Sequence, residues 1–323
     1  MKYGQVDGIS KPVSRLVQGT VMISGNDPER EFALLDEVVA LGGNTFDTAH
    51  VYGNGANERA FGRWVRERGL RDQLVILAKG AHHNADRRRV TPFDISADLF
   101  DTLARFQLDS VDLYVLHRDD PTVPVGPIVE ALHAHKEAGR ISAYGGSNWS
   151  HERIAAANAY AAEHGLTPFA VSSPNLSLAE QLQPPWDGCV SISGPSGATA
   201  RAYYRTTGLP IFAWSSLAGG FFSGRLRRDN LDTFTTYLDK LAVTSYAGPD
   251  NFDRLDRADE LARRNGVSLP QVALAYVHAL SLNVFTLVGC QTADEFKTNT
   301  EALDLALSAD EVRWLEAGDQ SSN

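Results

Sequence analysis

Short apolar runs alternate along the chain with stretches in which apolar positions recur at helical spacing. The runs at 16–22, 44–49, 74–78, 111–116, 141–146, 169–173, 210–215 and 284–288 show little strict polar alternation. That is the pattern of parallel strands buried on both faces. Between them, residues 28–40, 57–68, 94–106, 126–138, 150–164 and 252–265 read as helices. Asp27 caps the first of these with Pro28 in its first turn, and Ser150 leads into Glu152. Gly139, Gly165 and Gly266 follow polar last turns and mark helix ends. Eight strand–helix alternations predict an α/β fold, a closed parallel (β/α)8 TIM barrel with helices outside. No linker or simple repeat interrupts the series, so residues 1–323 are expected to form one domain.

Two regions break the rhythm. Residues 1–14 carry turn signals at Asp7-Gly8 and Lys11-Pro12 and predict a short hairpin closing the barrel bottom. Residues 177–209, with Pro184-Pro185 and Ser193-Gly194-Pro195, read as a long loop, as does the stretch of about 35 residues after Ser216. On a barrel the active face lies at the C-terminal ends of the strands. These loops are therefore expected to shape a cofactor or substrate pocket.

Composition narrows the classes. The chain is 43% hydrophobic and 22% charged, an ordinary globular balance. Its net charge of −10 argues against a nucleic-acid partner. Cys189 and Cys290 have no CxxC spacing, so free thiols in a reducing compartment are expected, with no zinc site. No apolar stretch approaches the ~18 residues of a membrane helix, and no secretory h-region opens the chain. The expectation is a cytoplasmic protein without membrane or metal.

Four polar residues stand at or just beyond consecutive strand ends: Asp47, Tyr52, Lys79 and His117. Each alone has a bland explanation: a turn or cap aspartate, a packed tyrosine, a solvated lysine, a satisfied barrel histidine. Together at one rim they suit proton transfer. A phenol, with a pKa near ~10, donates poorly at neutral pH. A nearby ammonium stabilises the phenolate, a carboxylate holds the ammonium, and an imidazole orients an acceptor oxygen.

The text around these residues resembles the aldo/keto reductase superfamily. The matching segments are Phe-Asp-Thr-Ala-His-Val-Tyr-Gly (46–53), Asn57-Glu58, Phe61-Gly62, Ala-Lys-Gly (78–80), Asp-Leu-Tyr-Val-Leu-His-Arg (112–118), Gly-Gly-Ser-Asn-Trp (145–149) and Ala-Trp-Ser-Ser-Leu-Ala-Gly-Gly (213–220). Their order and spacing fit from about residue 14 to about residue 305. The resemblance implies NAD(P)H-dependent reduction of an aldehyde or ketone, sugar-like carbonyls included. Tyr52 would be the general acid, Lys79 paired with Asp47 would lower its pKa, and His117 would orient the carbonyl. His50, Arg118, Trp149 and Phe222 are candidates for the substrate pocket. Arg118 either greets an anionic group or pairs with Asp119 or Asp120.

The same resemblance implies a cofactor site. Gly19, Thr20 and Val21 would lie under the nicotinamide, together with Asp47. Ser147 and Asn148 would bond its carboxamide, and Trp214 would stack on its face. Ser215, Ser216, Leu217, Gly219 and Ser223 would wrap the pyrophosphate. Ser173 stands where the family often has glutamine, with water or Asn175 as substitutes. After the eighth strand, Gly289 replaces a usual lysine and Glu295 a usual arginine, beside Gln291, Asp294 and Lys297. Two carboxylates there would repel a 2′-phosphate, so NADH is expected to serve at least as well as NADPH. Asp294 and Glu295 also suit the first turn of a helix. Asn299 would meet the adenine. Two rivals remain: a carbon–carbon lyase using Lys79 as a Schiff base, and a cofactor-binding regulatory or structural subunit with little turnover.

Overall fold

The computed structural model describes residues 1–318. Eight parallel strands close into a barrel: β3 (Leu16–Gly19), β4 (Thr45–Asp47), β5 (Val75–Gly80), β6 (Val111–Leu116), β7 (Ile141–Ser147), β8 (Val171–Ser173), β9 (Ile211–Ala213) and β10 (Val284–Val288). The strand order is β10-β3-β4-β5-β6-β7-β8-β9, in sequence order around the ring. Two of the eight expected strands, 111–116 and 284–288, have the observed bounds, and the others differ by a few residues at their ends. Every residue of β5 and β6 is buried, which explains their near-continuous apolar text.

Two compact units are distinguished by their internal contacts: Met1–Ser173 with Gly289–Ala293, and Pro174–Val288 with the residues from Asp294 on. In the first unit, a hairpin of β1 (Tyr3–Gly4) and β2 (Val13–Ser14) precedes the barrel strands. It crosses their starting ends, as expected. Ser14 N donates to Asn44 Oδ1 and Thr45 Oγ1, both at 3.0 Å. Lys11 pairs with Asp112 at 2.5 Å, and a Cβ on Gly8, at φ 84°, would lie 2.9 Å from Ser142 O. Six expected strands and five expected helices belong to this unit. The helices are α1 (Pro28–Ala40), α2 (Ala56–Arg68), α3 (Pro92–Phe106), α4 (Val125–Glu137) and α5 (His151–His164). Gly145 in β7 is obligatory on packing grounds, because a Cβ there would sit 2.1 Å from Val171 O on β8.

The second unit departs more from expectation. The stretch 177–209 is not all loop, since α6 (Ala198–Thr207) forms within it and ends on left-handed Gly208. After Ser216 the chain also builds α7 (Tyr237–Tyr246), capped by Thr236. Threonine and tyrosine, weak helix formers, fill both segments and masked them. The expected helix at 252–265 is α8 (Pro249–Asn265). Helix α9 (Leu269–Ala279) is buried nearly all round, so it lacks the one-sided pattern that betrays a surface helix. Helices α10 (Ala293–Glu301) and α11 (Ala309–Ala317) complete the series. The core of this unit runs from Leu176 and Leu178 through Phe221, Phe222 and Tyr246 to Leu261, Tyr276 and Leu315.

Candidate active site

Backbone hydrogen bonds carry the barrel ladder past the ends of β4, β6 and β7 and so fix the residues there. Thr48 N donates to Leu77 O at 2.9 Å, His50 N to Lys79 O at 2.8 Å, and His117 N to Gly80 O at 2.8 Å. Asn148 N donates to Ser173 O at 3.1 Å. Tyr52 opens a tight turn, Tyr52–Gly55, in which Gly53, Asn54 and Gly55 all have positive φ. The following Asn57 donates to Thr20 O at 2.9 Å and Val21 O at 2.8 Å, holding the segment after β3.

These tethers bring the four expected residues together in the first unit. Lys79 Nζ pairs with Asp47 Oδ1 and donates to Thr48 O at 3.0 Å. The ammonium stands 5.4 Å from the centre of the Tyr52 ring, and the Tyr52 and His117 rings meet edge-on at 6.0 Å. Lys79 is 4% exposed and Asp47 5%, so the solvated-lysine reading is wrong. Burial pushes the Asp47 carboxyl up and the Lys79 ammonium down, while each partner's charge opposes the other's shift. Burial holds His117 well below the ordinary imidazole range, helped by the charges of Lys79 and Arg118, so it is neutral at physiological pH.

Burial pushes the Tyr52 phenol up, and the charge of Asp47 adds to the rise. The cation that opposes the rise is Arg118.

Arg118 also departs from the simplest expectation, pairing with its sequence neighbours. Asp119 is held by Arg153 at 3.1 Å, and Asp120 lies 3.8 Å from Arg88. Arg118 is 6% exposed; its Nη1 donates to His117 O at 2.9 Å, and its Nε has no hydrogen-bond partner among the described residues. Thr48 Oγ1 and His117 Nδ1 are buried and unpartnered in the same way. His50 lies against α3, with Nε2 3.2 Å from Asp101 Oδ2. Trp149 and Phe222 are both buried. Trp149 is 1% exposed, packed on Phe169 at 5.2 Å with Nε1 bonded to Arg118 O, and Phe222 is in the core of the second unit.

Sequence reasoning missed His82, whose ring meets that of His117 at 4.8 Å. Burial depresses its imidazole to about 4. The signal was present in Ala-His-His directly after the β5 end.

Other candidate positions are placed as follows. Ser147 Oγ donates to Ser173 O at 2.9 Å, and Asn148, at φ 58°, donates from Nδ2 to His117 O and Ser147 Oγ, both at 3.2 Å. Gln18 Nε2 donates to Cys290 O at 3.0 Å, fixing the segment that holds Gly289 and Gln291 beside Gly19. Val21 is half exposed, at 50%.

In the second unit, Asn175 does not stand free to replace a glutamine. Its amide donates to Trp214 O at 3.0 Å and its Oδ1 accepts from Ser191 at 2.8 Å. The Trp214 ring faces Trp186 at 6.4 Å. Beyond it, Ser215, Ala218, Gly219 and Gly220 all take positive φ, and Ser216 Oγ donates to Ala213 O at 2.9 Å. Ser223 N closes a turn on Gly220 O at 3.0 Å, leaving Leu217 within the loop. On α10, Asp294, Glu295 and Lys297 are exposed and Asn299 is buried. Among the described residues neither cysteine forms a disulfide, no cluster is placed to hold a metal, and no helix is long and apolar enough to cross a membrane.

The chain is 27% identical to a probable aryl-alcohol dehydrogenase, AAD4, of Saccharomyces cerevisiae, over 90% of this chain and 87% of the relative. It is 28% identical to norsolorinic acid reductase stcV of Emericella nidulans, over 94% of this chain and 78% of the relative. A crystal structure of the thermostable aldo-keto reductase Tm1743, in complex with the inhibitor epalrestat, superposes with a TM-score of 0.75 at 20% identity. It covers 99% of this chain and 100% of that one, and confirms the barrel fold. A model of the aldo/keto reductase family matches residues 15–319, nearly the whole length, and the chain belongs to that family.

Proposed function

We propose that this protein, acting as a single catalytic domain, reduces an aldehyde or ketone to an alcohol with a nicotinamide cofactor and uses Tyr52 as the proton donor. The observation that carries this reading is the buried Asp47–Lys79 pair set beside Tyr52 and His117 at the C-terminal ends of three adjacent strands. A polar ligand is called for there, since Thr48 Oγ1, His117 Nδ1 and Arg118 Nε are buried without partners. The candidate for the cofactor's phosphates is the loop after Trp214, where Ser215, Ala218, Gly219 and Gly220 have positive φ; left-handed residues set among right-handed ones can turn N–H groups toward an anion.

When bound, the reduced nicotinamide supplies the hydride. In the first unit, Ser147 and Asn148 would hold its carboxamide. The Tyr52 hydroxyl gives its proton to the substrate oxygen as negative charge grows there. A phenol held above its ordinary pKa keeps that proton until the oxygen becomes strongly basic. His117, neutral through burial, donates a ring N–H to the same oxygen and fixes its direction. Lys79 and Asp47 hold the β4 and β5 ends in register.

For the cofactor, the exposed carboxylates of Asp294 and Glu295 and the missing side chain at Gly289 favour NADH at least equally with NADPH. The name of the probable aryl-alcohol dehydrogenase points to aromatic carbonyls as first substrates to try. The test is consumption of NADH or NADPH by purified protein with para-nitrobenzaldehyde. Turnover with either cofactor supports the reading. Quenching of protein fluorescence by both cofactors without turnover of any aromatic, aliphatic or sugar aldehyde would favour a regulatory subunit instead.

A further inference from the structure

Charge accounting at the strand ends leaves one cation over. Asp47 is matched by Lys79, and Asp98 by Arg89 at 2.5 Å and the backbone N–H of Ala81 at 2.8 Å. Glu58 is matched by Arg105 at 2.8 Å. Asp101 lies against His50 at 3.2 Å. Asp119 is taken by Arg153, and Asp120 stands nearest Arg88. No carboxylate among the described residues pairs with Arg118, although its guanidinium is nine-tenths buried. Among the described residues the guanidinium's only hydrogen-bonding partner is the carbonyl oxygen of His117, which leaves Nε without one.

A guanidinium stays charged wherever it is placed. Burying one without a counter-charge is strongly unfavourable unless a ligand supplies the charge. The position is also held firmly. Trp149 Nε1 donates to Arg118 O at 3.2 Å, and Asn148 Nδ2 to His117 O at 3.2 Å, so the turn after β6 is pinned on both sides. The charge of Arg118 is felt at Tyr52, Lys79, His82 and His117, which places it within reach of a molecule seated on those groups.

We infer that the carbonyl substrate carries an anionic group, a carboxylate or a phosphate ester, and that Arg118 binds it. The inference rests on the carbonyl-reduction reading and names the substrate class for that site. The fork of N–H donors matches two anionic oxygens at once, which gives orientation as well as affinity. With the anion on Arg118 and the carbonyl oxygen between Tyr52 and His117, the substrate is held at two points. The carbonyl carbon is then presented in one direction. A neutral carbonyl compound would leave the guanidinium unpaired and bind less well.

The test compares acids with their own esters. Reduction of para- and meta-carboxybenzaldehyde is measured against the corresponding methyl esters, and glyceraldehyde 3-phosphate against glyceraldehyde. The wild-type protein should prefer at least one anionic partner by about ten- to hundredfold in kcat/KM. Arg118→Leu should remove that preference, and Arg118→Lys should keep part of it. The carboxylate pairs and the phosphate pair separate the two kinds of anion. Equal kcat/KM for every anion and its neutral counterpart in the wild type would overturn the inference. So would an equal loss for acid and ester in Arg118→Leu, since Arg118 would then act on the phenol or on the fold. A binding arm stands apart from turnover. Calorimetric titration with para-(hydroxymethyl)benzoate and its methyl ester should show tighter binding of the acid to wild type, and no difference in Arg118→Leu. If the acids bind this way and no aldehyde is reduced, the anion site stands and the reductase reading falls.

Discussion

Replacing Lys79 by methionine strips the counter-charge from a carboxylate that is 5% exposed. Two interactions vanish, the ion pair with Asp47 and the hydrogen bond to Thr48 O at 3.0 Å. Breaking a buried pair by removing one partner costs about 3–5 kcal/mol, a drop of two to four orders of magnitude in the folded-to-unfolded ratio. The cost should depend on pH in a defined direction. Burial already raises the Asp47 carboxyl, and both influences that lower it come from Lys79. In the variant it therefore rises further above its unfolded value of ~3.9. A group raised in the folded state costs stability as pH climbs through that window, and the cost is complete above the folded value. Protonation at low pH removes it, at up to about 1.4 kcal/mol per pH unit. The assay is urea unfolding of wild type and variant at a series of pH values, read by tryptophan fluorescence. The difference between the two should be largest near neutrality and shrink toward pH ~4. Asp47→Asn combined with Lys79→Met should recover much of the loss at neutral pH. A difference that is flat with pH, or a double variant no more stable than the single one, would refute the buried-pair reasoning.

Other outcomes follow from the same geometry. His82 is depressed to about 4, so its unfolded form takes up a proton before the folded one and stability falls as pH drops below ~6.5; His82→Gln should move the acid-unfolding midpoint to lower pH, measured by fluorescence. Gly145→Ala puts a methyl group 2.1 Å from Val171 O and should destabilise the fold as overpacking does, by about 1–3 kcal/mol or more, and so lower the melting temperature; an unchanged melting curve would mean that β7 and β8 can part there. Gly289→Lys with Glu295→Arg should tighten NADPH binding at least about tenfold while changing NADH little, read by fluorescence quenching.

Much of the fold was legible because the barrel strands are short apolar runs between capped helices. β6 and β10 were readable to the residue, since Val111–Leu116 and Val284–Val288 are bounded by polar text. Of the strands that shrank, β8 lost residues at its start, while β3, β4 and β9 are those whose apolar text runs on into loops such as Thr20-Val21-Met22 and Trp214. Helix α9 hid because nearly all its residues are buried, and α6 and α7 because tyrosine and threonine fill helical positions there. The meeting of Asp47, Tyr52, Lys79 and His117 was readable from their places at consecutive strand ends. The isolation of Arg118 was not. Its neighbours Asp119 and Asp120 look like partners in one dimension, yet Arg153 reaches Asp119 from α5 and Arg88 approaches Asp120 from the loop before α3.

The central claim is that Tyr52 gives the proton during carbonyl reduction. Its most direct test is Tyr52→Phe, with kcat/KM for an aldehyde and the dissociation constant for the reduced cofactor measured on the same preparation. The account predicts a fall in kcat/KM of at least about 10²-fold with cofactor affinity nearly unchanged. Reduction retained within about tenfold of wild type would place the proton donor elsewhere.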